Sequence, residues 1–284
     1  MLTILNIEEK PYKGLLEKLK FLFKKEELIK SKVDNIKNIY VHDINYIKRS
    51  DDINWNKLSK VIGEESKMIL CDKDLAIPSE LKFKRFEPES YYEEICILFA
   101  LEVLKEADIK SPDFNIALYD PLGEYSAVLD ELIKYSSSIN IITDNEYHYK
   151  KESDRIMEEY GANIWINKEL NDNYFNLVLA LHPIDRQIKT NRLSLVLTSR
   201  PYIYPIKGII YDKYNLNKDI NFKKFLSFDN NMSQEYIAAA LYEIENKEDI
   251  LNIIPSEAET WFGHVSNIEE VTNLLHNSIE SQIK

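Results

Sequence analysis

The chain has 284 residues, 44% of them apolar and 30% charged, with a formal net charge of −12. That length is generous for one domain and suits two, and the apolar share is enough for a sizeable core. So acidic a balance excludes a general nucleic-acid binder, because neutralising a phosphate backbone takes a basic face.

In chain order, residues 2–7 predict a short strand. Residues 11–29 predict a helix, with Leu15, Leu16, Leu19, Leu22, Phe23 and Leu28 set between lysines. The lysine-rich piece 18–32 is interleaved with Glu26 and Glu27 and reads as a solvated helix face. Residues 38–43 predict a strand, Trp55, Leu58, Val61 and Ile62 a helix stopped by Gly63, and 68–71 and 81–85 further extended pieces. Residues 1–88 thus form a small N-terminal α/β domain.

Ser90 and Glu93 predict a capping box opening a helix to about Ala107. That helix is apolar on more than one face, as when packed between two layers or domains, and 89–110 serve as the link. Across 111–232 strands are expected at 115–119, 139–143, 163–166, 175–181, 193–198 and 208–211. Helices fall at 124–135 and 147–160, the second closed by Gly161. Continuous apolar strands between helical patterns predict a mostly parallel sheet with helices on both faces. The link 182–192 is too short for a crossover helix. Residues 233–284 read as helices packing back on the domains, opened in turn by Ser233, by Ser256 with Glu259, and by Asn267 with Glu270.

One stretch carries the candidate chemistry. The strand 115–119 runs into Asp120, the turn after it holds Gly123, and the second strand runs into Asp144. Main-chain N–H groups of a glycine turn at a helix start bind phosphate, and an acid closing the second strand accepts hydrogen bonds from ribose hydroxyls. On these residues, 112–212 resemble a Rossmann-type nucleotide-binding domain at superfamily level. The resemblance implies a nucleotide or dinucleotide ligand such as NAD(P), bound by Asp120, Gly123 and Asp144, and kinship to two-domain oxidoreductases. The dinucleotide fingerprint, however, has glycine at three places and here there is one. Leu122 and Glu124 stand where pyrophosphate would approach, and Glu124 at a helix start would repel it.

Two further functions stay open: a non-catalytic interaction protein that keeps only the fold, and a protein resembling S-adenosylmethionine-dependent methyltransferases. The second rests on Asp120, Asp144 and the run 174–183, although a D-x-G-x-G pattern is absent. His182 closes the fourth strand at the same edge and is the candidate acid or base, against the plain reading of a loop histidine. Arg186, Arg192 and Arg200, the stretch 199–202, and His42-Asp43 at a strand end of the first domain are secondary candidates. His148, His264 and His276 lack ligand spacing, and no metal, Walker A or nucleophile-elbow pattern is present.

Cys71 and Cys96 lie in apolar runs and are too few for a disulfide framework, which suits a reduced, cytoplasmic protein. The first ten residues lack a signal-peptide pattern, and the apolar window 95–104 is too short to span a bilayer. The partners expected are a small nucleotide-type ligand and a second copy of the chain, with no nucleic acid and no membrane.

Overall fold

The computed structural model describes residues 1–9, 29–36, 39–48, 52–88, 90–109, 114–167, 174–200, 204–216, 232–244 and 255–283. The chain divides into two compact units, residues 1–89 with 218–252 and residues 90–217 with 253–284. No helix among the described residues is long and apolar enough to cross a membrane.

The first unit is built on β1 (Leu2–Glu9), β2 (Ile29–Ile36), β3 (Ile39–Lys48), α1 (Trp55–Ile62), β4 (Met68–Leu70) and β5 (Lys84–Arg85). The sheet order is β2-β3-β1-β4-β5, parallel except for β2 against β3. Asn54 starts α1 by accepting the N–H of Lys57, and Gly63 ends it at φ 84°. Leu58 and Ile62 from α1 pack on Leu5, Ile44, Ile69 and Phe83 in the core. The expected helix at 11–29 lies outside the described residues except at its end, where Ile29 opens a strand. Lys30 and Lys32 therefore sit on β2 and not on a helix face. β2 pairs with β3 residue for residue, and that ladder outweighs a local helical pattern. β3 runs on to Lys48, so His42-Asp43 lies mid-strand and not at a strand end. Helix α5 (Gln234–Ile244) belongs to this unit, with the Ser233 hydroxyl accepting the N–H of Tyr236.

The second unit opens with α2 (Tyr91–Ala107) and continues through β6 (Ile116–Tyr119), a 3-10 turn (Ser126–Val128), α3 (Leu129–Leu132), β7 (Ser138–Ile142), α4 (Glu146–Tyr160) and β8 (Asn163–Asn167). It then adds β9 (Leu177–Ala180), β10 (Leu195–Thr198) and β11 (Ile209–Leu216), and closes with β12 (Pro255–Thr260), β13 (Val265–Asn267) and α6 (Ile268–Ile283). The sheet order is β13-β12-β11-β10-β9-β6-β7-β8. From β8 to β11 every pairing is parallel, and by position in the chain the order reads third, second, first, fourth, fifth, sixth. That is the Rossmann order.

Every residue of β6, β9 and β10 is buried, as a sheet covered on both faces requires. On one face Ala117, Tyr119, Val178, Ala180 and Val196 pack under Ile184 and Ile188. Those two come from the helix-free connection between β9 and β10, which covers the sheet in place of a crossover helix. Helix α2, buried at ten of its positions, packs on α6 and against β10 to β12.

Three local expectations fail in this unit. Residues 256–259 do not start a helix but form β12, because β11 offers an eight-residue edge that Pro255–Thr260 pairs along, with Lys213 bound to Glu259 across the strands at 2.9 Å. Residues 124–135 give a 3-10 turn and one turn of α3 in place of a full helix. The Ser90–Glu93 capping box does not form, since the Glu93 carboxylate turns to Arg200. The Asn267–Glu270 box does form, each side chain accepting the other's main-chain N–H at 2.9 and 3.1 Å.

Candidate functional site

In the Rossmann order the chain fills one side of β6 with β7 and β8, then crosses to the other side with β9, β10 and β11. The crevice outside the carboxyl ends of β6 and β9 is the switch point where such sheets hold ligands. Four segments deliver candidate residues to this edge: Asp120 directly after β6, Asp144 after β7, His182 after β9 and Arg200 after β10.

Asp120 is fully buried. Its Oδ1 accepts the N–H of Gly123 at 2.9 Å, and its Oδ2 accepts the N–H of Tyr125 at 2.8 Å and the Tyr149 hydroxyl at 2.5 Å. Burial alone pushes this carboxyl up. The contact with His182, the Tyr149 hydroxyl and the turn's N–H groups outweigh it and hold the acid at about 2. Burial and the charge of Asp120 together push the Tyr149 phenol up. The N–H groups that a glycine turn would offer to phosphate thus serve the protein's own carboxylate. With those donors committed, helical geometry begins only at Ser126, so Glu124 lies before any helix and not at a helix start. Gly123 takes φ 79°, and a Cβ there would lie 2.9 Å from the Asn145 side-chain nitrogen. The turn and its packing require this glycine without any ligand.

Asp144 is also engaged. Arg186 holds it through two hydrogen bonds of 2.9 and 2.8 Å, and reaches Asp185 at 3.0 Å. Asp185 in turn accepts the Tyr119 hydroxyl at 2.5 Å. These hydrogen bonds, the one to Asp144 foremost, push the Arg186 guanidinium up. Leu122 and Glu124 project into solvent beside the turn.

The His182 Nε2 lies 3.2 Å from Asp120 Oδ1 and 3.5 Å from Glu124 Oε2, without the alignment of a hydrogen bond. Its ring stands edge-on to Tyr125, with centroids 5.4 Å apart. The structure therefore brings Asp120, Gly123, Asp144 and His182 to one edge, where Asp120, Gly123 and Asp144 already have partners within the protein and the buried His182 Nε2 has no hydrogen bond. Sequence reasoning missed Tyr149, Tyr125 and Glu93. Glu93, buried, binds the Arg200 guanidinium at 2.6 and 2.5 Å. Burial first, and then the charges of Glu93, Glu124 and Asp120, push the Tyr125 phenol up. Tyr149 had a faint signal, since it stands seven positions before Ile156 on one face of a mostly polar helix, and these two are the ones buried. Arg192 is exposed in the turn before β10, and residues 201–203 lie outside the described residues. Among the described residues no three His, Cys, Asp or Glu side chains converge to hold a metal ion.

No protein-family model and no curated protein matches the chain. Among solved structures, L-tryptophan dehydrogenase from Nostoc punctiforme is similar across 98% of this chain and 79% of its own, at 11% identity and a TM-score of 0.31. So distant a likeness carries neither fold nor function, and the Rossmann assignment stands on strand order alone.

Proposed function

We propose that the chain binds a nucleoside-type ligand at the carboxyl edge of its Rossmann sheet, with Asp144 accepting ribose hydroxyls and Asp120 and Gly123 beneath the ligand. The observation that carries this reading is the strand order, which sets the ends of β6, β7 and β9 around one switch point. A pyrophosphate in the β6 turn would meet Asp120 already seated on the N–H groups, with Glu124 beside it. Two like charges ~4 Å apart repel by ~4 kcal/mol at the effective dielectric of a protein surface. A neutral or cationic tail, as in adenosine or S-adenosylmethionine, suits the edge better than NAD(P). An oxidoreductase role would require nicotinamide binding in spite of that repulsion.

Thermal-shift titration with adenosine, S-adenosylmethionine, NAD, NADP and ATP tests this. A ligand at about 100 times Kd adds ~2.7 kcal/mol, and Asp144→Ala is expected to abolish the shift. Silence from all five at millimolar concentration overturns the proposal. The second reading, an interaction protein that keeps the fold without a ligand, is favoured by the internal satisfaction of Asp120 and Asp144. Its expected partner is a second copy, and its signature is a silent ligand screen with a dimer in light scattering.

A further inference from the structure

We propose that the first unit holds a second, separate site, which takes a small zwitterion: an α-amino acid with an apolar side chain. This inference stands on the first unit alone and is independent of the reading of the Rossmann edge. The chain passes from β1 to β3 on one side of β1 and then to β4 on the other, so β1 and β4 flank a switch point of this sheet. The ladder between them covers only Thr3 with Ile69 and Ile4 with Leu70, whereas β1 runs on to Glu9. Where β4 has left off, residues 5–7 border a cavity of about 290 Å³. That volume lies at the small end for ligand pockets and suits a molecule of amino-acid size.

Besides Asn6, whose side chain donates to Asn45 at 3.1 Å, the lining has three chemistries. Leu5, Ile7, Ile53, Leu75 and Met232 supply apolar surface, Asp72 and Asp74 stand on the loop after β4, and Lys48 is the last residue of β3. The acidic loop is anchored. Asp72 accepts the N–H of Asp74 at 2.9 Å through its side chain and that of Leu75 at 3.1 Å through its carbonyl. From β5, the Arg85 guanidinium donates to the carbonyls of Lys73 and Leu75. A loop whose main chain is held in this way is ordered before a ligand arrives, which lowers the cost of binding. An ammonium group is recognised by Asp72 and Asp74, a carboxylate by Lys48, and a hydrocarbon side chain by the apolar wall between them.

Calorimetric titration of the full chain with L-leucine, L-methionine and L-phenylalanine is the test, with isoamylamine and 4-methylpentanoate as leucine analogues lacking one charge. At least one amino acid is expected to bind saturably, and each analogue at least about tenfold more weakly than leucine. Asp74→Asn and Lys48→Met each weaken the amino acid by about tenfold or more, with unchanged far-UV circular dichroism. Asp72→Asn replaces either variant should it fail to fold. No saturable binding of any of the three up to ~10 mM overturns the site. Isoamylamine binding as tightly as leucine overturns the amino-acid assignment, and so does unchanged affinity in the folded variants.

Discussion

Replacing Asp120 by asparagine probes whether the turn after β6 is filled by the protein's own charge. The shape of the side chain is kept, but one acceptor oxygen becomes an N–H₂ donor. Oδ1 faces the N–H of Gly123, and Oδ2 faces the N–H of Tyr125 and the Tyr149 hydroxyl. The hydroxyl can rotate to accept, but whichever way the amide turns, one main-chain N–H loses its partner. An unsatisfied donor in a buried site costs ~1–3 kcal/mol.

The proton supplies a second figure. The carboxyl is held at about 2 against 3.8 for the free side chain. At ~1.4 kcal/mol per unit, the ionised form contributes about 2 kcal/mol to folding. Because the folded value is the depressed one, that contribution is complete above about pH 4 and is lost as pH falls to about 2. Asp120→Asn should therefore lower the stability of the second unit by about 2–3 kcal/mol at neutral pH, with the gap to the parent narrowing between about pH 4 and about pH 2. Urea unfolding at a series of pH values, followed by far-UV circular dichroism, measures it. The other carboxylates titrate in both proteins and cancel in the difference. A gap under ~0.5 kcal/mol at neutral pH, or one that does not narrow on acidification, refutes the reasoning.

Three further outcomes are expected. Gly123→Ala should destabilise by about 1–3 kcal/mol, since it combines a left-handed backbone with a Cβ 2.9 Å from Asn145, and a neutral melting curve would contradict the turn as described. Arg186→Ala releases Asp144. It should leave stability within ~1 kcal/mol, as for exposed ion pairs, while tightening adenosine binding several-fold, and unchanged or weaker binding would place the ribose elsewhere. Burial raises the Cys71 and Cys96 thiols to about 11 and about 12, so an aromatic disulfide reagent at mildly alkaline pH should label neither in the native protein and both after unfolding. Labelling of either within minutes without denaturant would count against the packing.

All six parallel strands of the second unit were legible in the sequence to within a few residues at their starts. Strands covered on both faces must be apolar at consecutive positions, as Ile116–Tyr119, Leu177–Ala180 and Leu195–Thr198 are. The end of α4 was legible because Gly161 takes the left-handed conformation that few other residues adopt. Residues 256–259 were not, because a Ser-x-x-Glu spacing is local, whereas their partner on β11 lies more than forty residues earlier in the chain. The Ser90–Glu93 pattern misled for the same reason, its acid being claimed by Arg200, 107 residues away.

At the candidate site the sequence alone determined which residues reach the edge. In a parallel sheet every strand ends on the same side, so residues that follow successive strands, Asp120, Asp144 and His182, must gather there. What those residues do was decided only by the tertiary structure. Asp120 meets Tyr149 across 29 positions and Asp144 meets Arg186 across 42. No local pattern encodes such pairs, because they depend on how α4 and the β9–β10 connection pack over the sheet. The glycine turn that reads as a phosphate cradle is filled by a carboxylate because burial leaves its N–H groups to be satisfied from within, and Asp120 is the acceptor in reach.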